Sequence, residues 1–328
     1  MQENLLPFEK LKHKILVKKE TESNPKYGCS PEKRGISELI NYGIVNINKP
    51  KGPTSHMVSE YVQRILEIDK AGHSGTLDPG VTGVLPVALQ SATRIVQTLL
   101  KSGKEYAGIM HLHKSVGEVE LKKVINSFIG KIKQMPPLRS AVKRVLRERE
   151  VYYFDILEID EKDVLFKVGC QAGTYIRTIC HDIGKALGTG AHMSQLVRTK
   201  AGPFKFEDTI TLQDLEDAYW FYKNDGNEKY LRYCIKPIEL AVSHLRKVFV
   251  LDSAVDSICH GASLNIPGIS RLESGINADE TAAIMTLKGE LIALGIAKKN
   301  SQQMMEKDKG VAVKTEKVFM RPGVYSST

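Results

Sequence analysis

A single carboxylate, Asp78, sits inside the glycine-rich stretch AGHSGTLDPGVTGVLPVAL, residues 71 to 89, wedged between Leu77 and Pro79. Gly72, Gly75, Gly80 and Gly83 free the backbone for close approach to another molecule. Such spacing suggests a phosphate cradle, but the lysine that closes a P-loop is missing and no GxGxxG follows a strand, so neither usual kind of nucleotide binding is expected. Arg177 is the second residue that raises a chemical question. It stands in the first turn of a helix, where the dipole opposes a cation by about 0.3–1 kcal/mol unless an anion offsets it. A phosphate would serve. A carboxylate on a neighbouring loop would serve better, because guanidinium and carboxylate match as a bidentate pair, and Asp78 is the natural candidate. An ordinary solvated arginine is the plain alternative.

Other candidates carry less. Tyr106 follows Lys104 and Glu105 at the mouth of the strand YAGIMHL. It reads either as half-core or as a flat platform for a nucleobase. His111 and His113 alternate on that strand, but no third metal ligand is suggested nearby, so they are expected at the surface. His181 beside Asp182 invites a hydrolase triad, yet no serine on a strained elbow accompanies it and the pair lies mid-helix. Cys29, Cys170, Cys180, Cys234 and Cys259 are odd in number with no CxxC pair, which argues for reduced, mostly buried thiols.

The elements that must position these residues are legible from periodicity. Residues 1 to 40 are polar and punctuated by NPKYG and SPEKRG, so they form an arm expected to lean on another part of the chain. GIVNINKP then reads as a strand, KPKGP as a turn, and Val58, Tyr61, Val62 and Ile65 as one face of a helix behind Thr54 and Ser55. Helices follow with Ile95, Val96, Leu99 and Leu100, and with Leu121, Val124, Ile125 and Phe128. VLFKVGC alternates as a half-buried strand and runs through QAGT into a helix carrying Ile176, Ile179, Ile183 and Leu187. The net-acidic stretch 211 to 230 reads as a structural helix packing its aromatic residues, Trp220 among them. After about Lys236 short strands and turns predict a small β-barrel, with LKGE as a hairpin turn.

At 328 residues and 42% hydrophobic content, the chain can build one large domain and a smaller one. Its apolar runs fall short of a membrane span and its start lacks the apolar core of a signal peptide, so a soluble, cytoplasmic protein is expected. The formal charge of +9 is unevenly placed. Lys131, Lys133, Arg139, Lys143, Arg144, Arg147 and Arg149 face Glu148 alone within their segment. Solvated faces mix signs, so this run points to a polyanion, RNA or DNA first and an anionic membrane surface second.

Taken in order, NKPKGPTSH, the glycine-rich stretch, KEY at 104 to 106, MPPLRSAVKRVLRERE, GTYIRTICHDIG and LVRTKAGPF resemble the TruB family of pseudouridine synthases. After SAVK the chain runs straight into RVLRERE, without the inserted thumb-like element of the stand-alone bacterial enzymes. It is therefore most similar to the archaeal dyskerin-like branch, the catalytic subunits of box H/ACA guide ribonucleoproteins. The resemblance implies an α+β fold: a mixed, largely antiparallel central sheet with flanking helices over 41–240 and a C-terminal PUA β-barrel over 241–326, on which the 1–40 arm packs.

The resemblance also implies roles. Asp78 would start cleavage of the uridine glycosidic bond, by attacking C1′ or by taking a proton from C2′, with Arg177 as its partner. Tyr106 would stack on the uracil and accept or relay the C5 proton. Tyr175, Ile176 and Leu196 would line the pocket, His73 would sit near the flipped nucleotide, and Lys49 and Pro50 would support the catalytic loop. The isomerisation is redox-neutral and uses no external group, so neither metal nor coenzyme is implied. Implied partners are the guide RNA, target ribosomal RNA and three small accessory proteins, with no membrane. The rival readings are a stand-alone transfer-RNA pseudouridine synthase, a noncatalytic RNA-binding scaffold and, more distantly, a nucleoside hydrolase.

Overall fold

The computed structural model of the chain describes residues 4–136 and 143–325. Among the described residues the strands form two sheets, one of ten strands and one of seven. The path of the larger runs Ile235–Pro237, Gly43–Lys49, Thr82–Leu89, Ala191–Ala201, Lys104–Leu112, Asp163–Cys170, Arg147–Asp160, Gly130–Gln134. Ala71–His73 pairs beside Thr82–Leu89 and Phe204–Lys205 beside Ala191–Ala201. Neighbouring strands in this sheet are antiparallel except where Thr82 meets Val197 and Gly83 meets Arg198, a short parallel contact at its centre. The fold is thus α+β, with a mixed, largely antiparallel sheet.

The periodicities read from the sequence explain its core. Val164, Phe166, Val168 and Cys170 alternate inward on Asp163–Cys170. They meet Ile176, Ile179, Cys180 and Ile183 of the helix Ile176–Ala186, together with Leu77 and Val81 of the aspartate loop. Each such side chain contributes about 1.5–3 kcal/mol on burial. The helix Ser55–Leu66 starts where Thr54 Oγ1 accepts the Met57 N–H at 3.2 Å. It buries Val58, Val62 and Leu66 against Val45, Ile47, Leu85 and Val87 of the sheet.

The seven-stranded sheet runs from Ile15–Val17 through Ile269–Glu273, Arg246–Val250, Thr281–Met285, Leu291–Ala297 and Val311–Val318 to Leu264–Asn265. It holds its own core of Val248, Ile258, Leu272, Ile284 and Ile292. A further apolar cluster joins Ile44, Val84 and Leu99 of the larger unit to Ala283, Leu291 and Phe319 of the smaller. Among the described residues no helix is long and apolar enough to cross a membrane.

Two sequence expectations change. The arm does reach the smaller sheet, through Ile15–Val17 beside Ile269–Glu273 and through the Lys288 ammonium, which donates to the carbonyls of Asn24 and Tyr27, with those of Pro25 and Gly28 within 3.5 Å. Its first turn instead packs on the larger sheet, where Leu6 is fully buried and Glu9 pairs with Lys200 at 3.0 Å. The helix Leu212–Asp225 forms as read, with a Thr211/Asp214 capping box, but it does not bury its tryptophan. Trp220 is 55% exposed and Phe221 38%. Leu215 and Ala218 take the inward face, and at 3.6 residues per turn that leaves Trp220 and Phe221 outside.

Candidate active site

Arg177 Nη2 donates to Asp78 Oδ2 at 2.5 Å, across 99 residues of chain. Arg177 is the second residue of the helix Ile176–Ala186, so the carboxylate lies at that helix's N-terminal end. Both side chains are more than half exposed, at 59% for Arg177 and 57% for Asp78. The pair is open to a ligand from above. An exposed pair of this kind adds only about 0–1 kcal/mol to stability, so its geometry is held by what lies beneath it.

What lies beneath is a set of bonds to the loop backbone. Lys49, fully buried, donates its ammonium protons to the carbonyls of Pro50 at 2.8 Å, Val81 at 3.0 Å and Pro79 at 3.3 Å. Ser55 Oγ accepts the Leu77 N–H at 2.8 Å and donates to the Leu77 carbonyl at 3.2 Å. The Val81 N–H returns to the Asp78 carbonyl at 2.9 Å and the Gly52 N–H to that of Pro79 at 2.9 Å. Pro50 is itself exposed and contributes its carbonyl to the Lys49 ammonium. The carboxylate therefore projects from a loop fastened at both ends.

Tyr106 stands half-buried on Lys104–Leu112, opposite Arg198 on Ala191–Ala201. Arg198 is 1% exposed and donates to the carbonyls of Val84 at 2.7 Å and Gly75 at 3.2 Å, as well as to the Tyr106 phenol. Burial pushes the Tyr106 phenol above its ordinary range, and the Arg198 charge works against that shift. His73, on Ala71–His73, has its imidazole pulled down by burial and by the Arg198 and His56 charges, and its Nδ1 is enclosed without a partner.

Tyr175 caps the Arg177 helix, and its peptide is gripped by the Gln134 amide: Oε1 accepts the Tyr175 N–H at 3.0 Å and Nε2 donates to its carbonyl at 3.1 Å. Ile176 and Leu196, 4% and 8% exposed, pack in one cluster with Leu77 and Val81. The half-buried Tyr106 ring packs against the same cluster.

The basic run divides. Gly130–Gln134 and Arg147–Asp160 form a hairpin in which Ile132 opposes Arg149 and Gln134 opposes Arg147, while Lys131 opposes Glu150 and Lys133 opposes Glu148. Directly opposed residues share a face, so Arg147 and Arg149 lie on the face from which Gln134 reaches Tyr175, and the two lysines lie on the other. Lys131 pairs with Glu148 at 3.1 Å. The sequence reading counted these cations as one patch; the two-residue strand period separates them. Lys143 and Arg144 are exposed, and Arg139 lies outside the described residues.

Arg198, Ser55 and Gln134 also hold this region in place, through bonds to the Val84, Gly75, Leu77 and Tyr175 backbone, and the motifs do not single them out. A lone arginine in the register of a buried strand face was the available signal for Arg198. The fold also brings His192 to within a 5.3 Å ring separation of both His111 and His113, and Asp163 to 2.8 Å from His111. Among the described residues, however, no group of three or more His, Cys, Asp or Glu side chains could hold a metal ion. A cavity of about 780 Å³ lies away from Asp78, lined by Arg34, Asn41, Tyr222 and Phe319.

Comparison with known proteins locates four matches along the chain: a DKCLD domain over 3–59, the N-terminal domain of TruB family pseudouridylate synthases over 63–176, the C-terminal domain of tRNA pseudouridylate synthase B over 177–243, and a PUA domain over 246–319. The probable tRNA pseudouridine synthase B of Methanopyrus kandleri is 55% identical over 320 residues, covering 98% of this chain and 94% of that protein. Its counterpart in Pyrococcus horikoshii is 57% identical over 318 residues, covering 96% and 95%. Among solved structures, a chain of a Cbf5-Nop10-Gar1 complex matches with a TM-score of 0.93 at 56% identity, over 98% of both chains. A chain of an H/ACA ribonucleoprotein bound to a substrate RNA containing 2′-deoxyuridine matches with a TM-score of 0.93 at 53% identity, over 99% of both.

Proposed function

The chain belongs to the TruB family of pseudouridine synthases, and on that premise we propose that it isomerises uridine in ribosomal RNA at positions chosen by a box H/ACA guide RNA. The observation that carries this reading is the Asp78–Arg177 pair, exposed on a loop that Lys49 and Ser55 fasten from below. The target uridine leaves its stack, at a cost of a few kcal/mol, and its ribose settles over Asp78. Asp78 starts cleavage of the C1′–N1 bond by attack at C1′ or by removing the C2′ proton. The freed uracil turns over and C5 joins C1′ as the bond to Asp78 breaks or the proton it removed returns to C2′; the C5 proton passes to solvent and N1 takes one up, so the composition is unchanged.

In this reading the Tyr106 ring stacks on that uracil. Burial disfavours the phenolate form of Tyr106, so it takes the C5 proton only as it passes its own hydroxyl proton on to solvent, with Arg198 donating to its oxygen. His73, pulled toward its neutral form, and Tyr175 border the nucleotide, while Ile176 and Leu196 support the floor. The smaller sheet and its arm hold the guide, the three small accessory proteins of the particle complete it, and the particle works in the cytoplasm.

Reconstitution with a guide whose pairing arms have been rewritten tests this reading: the modified position is expected to move to the newly paired uridine. Modification that stays where it was removes guide dependence. The relatives named as probable tRNA enzymes favour a second reading, action on transfer RNA without a guide. Product on bare transfer RNA would select it.

The division of the basic run makes a separate prediction. Arg147→Glu/Arg149→Glu is expected to weaken RNA binding and to flatten the log–log salt dependence by roughly 1.4–1.8, as loss of two phosphate contacts requires. Lys131→Glu/Lys133→Glu, on the other face, is expected to change the slope by less than half as much. Equal effects in filter-binding titrations would show that the two faces contact RNA alike.

A further inference from the structure

Directly behind the proposed site, on the opposite face of the sheet, lies a buried charge network that the reaction does not use. The strands Lys104–Leu112 and Ala191–Ala201 are irregular here: Tyr106 opposes Arg198, yet Glu105 opposes Lys200, which leaves Thr199 as the extra residue of a bulge. A bulge re-aims side chains that strict alternation would place together. In this one Arg198 is sent to the Tyr106 face and Lys200 to the Glu105 face.

The Glu105 carboxylate, 4% exposed, clamps that bulge. It accepts the Thr199 hydroxyl at 2.8 Å and the Tyr153 hydroxyl at 2.5 Å, and it lies 3.8 Å from the Lys200 ammonium. Tyr153 reaches it by crossing Gly169, where a Cβ would stand 2.3 Å from the tyrosine ring. Lys200 in turn donates to both oxygens of Glu9, at 3.0 and 3.2 Å. Glu9 belongs to the turn Pro7–Lys10, and its carboxylate also accepts the Leu6 N–H at 2.7 Å, so its position is fixed from its own side as well. A segment at the very start of the chain therefore supplies the counter-charge for a lysine whose strand neighbours set the aim of Tyr106 and Arg198.

We propose that Glu9 is a positioning residue of the uridine-isomerising site, acting through Lys200, Glu105 and the Thr199 bulge to fix how Tyr106 and Arg198 face Asp78. The inference rests on the reading of Asp78 given above, and wild-type activity in the same assay tests that reading separately. With the Glu9 charge removed, Lys200 closes on Glu105, Thr199 loses its hold on the carboxylate, and the bulge relaxes. Displacements of a fraction of an ångström at a reacting pair are enough to slow chemistry. The same arm continues into Ile15–Val17 beside the smaller sheet, so the network ties that sheet mechanically to the back of the site.

The test is single-turnover pseudouridine formation by the reconstituted particle at saturating RNA, with RNA affinity measured alongside. Glu9→Gln is expected to lower the rate constant roughly 10-fold with the RNA dissociation constant unchanged. Asn4→Ala, which removes another bond from the arm to this sheet, to Asp155 at 2.8 and 3.0 Å, loosens the arm without touching the network and is expected to stay within about twofold of wild type. A Glu9→Gln rate within twofold of wild type, a slowing matched by Asn4→Ala, or a loss confined to RNA affinity would each overturn the proposal. Should Glu9→Gln fail to fold, Thr199→Val breaks the same network one link on, at the Glu105 carboxylate, and is expected to slow the rate constant in the same way. A wild-type Thr199→Val rate overturns the proposal equally.

Discussion

Asp78→Asn lowers pseudouridine formation by at least ~10³-fold while leaving RNA affinity and melting temperature close to those of the parent protein; this is the largest functional effect expected from any single change in the chain. The amide keeps the size and the bond to Arg177 but can neither attack C1′ nor take a proton. None of the hydrogen bonds that fasten the loop is made to the lost charge. The bonds that hold the loop run from Lys49, Ser55 and Gly52 to backbone atoms, and the Asp78 carbonyl, which accepts from Val81, is retained. An exposed ion pair accounts for about 0–1 kcal/mol, so the melting temperature moves little. The measurement is product yield by tritium release or mass spectrometry beside RNA binding and a thermal melt. Undiminished product would remove the enzyme reading, and lost RNA binding would point to a scaffold whose loop is a contact surface.

The largest structural effect is expected at Gly83. Its φ is +101°, and a Cβ built there would lie 2.3 Å from the Arg198 carbonyl oxygen and 2.8 Å from the Arg198 nitrogen. Both obstacles are backbone, so no rotamer change relieves them. The central parallel contact between Thr82–Leu89 and Ala191–Ala201 must open. Gly83→Ala is therefore expected to cost at least ~3 kcal/mol, read as a lower urea midpoint, and to slow catalysis as Arg198 is displaced from Tyr106. Gly80 supplies the contrast. It lies three residues earlier, in the loop that leads into that strand, with open space around its Cβ position, and Gly80→Ala is expected to change stability by no more than about 0.5 kcal/mol. Equal midpoints for the two variants would show that the close approach at Gly83 is not what holds the sheet together there.

Residues with a chemical complement were legible early. A cation misplaced at a helix N-terminus asked for an anion, a lone carboxylate in a glycine-rich loop asked for a cation, and the fold sets Asp78 and Arg177 2.5 Å apart. Lys49 is different in kind. Its buried ammonium serves the neighbouring Pro50 carbonyl and two more, those of Pro79 and Val81, from 30 and 32 residues away, which no local pattern announces. Trp220 shows the opposite error: an aromatic residue in an amphipathic stretch was assigned to the core, whereas Leu215 and Ala218 had already claimed the inward arc of that helix.

The sequence by itself determined the elements and the family, because helical and strand periods, turn glycines and six ordered motifs are all written within a few residues of one another. It also determined which side chains could react, since that depends on residue type. Tertiary structure alone decided which face each side chain met. The hairpin register split the basic run into two faces, and one extra residue at Thr199 sent Arg198 toward the site and Lys200 away from it. The first turn of the chain was laid against the back of the site by bonds spanning 191 residues. Register, bulges and long-range pairs are set by the summed packing of distant segments, and a short window of sequence carries no record of that sum.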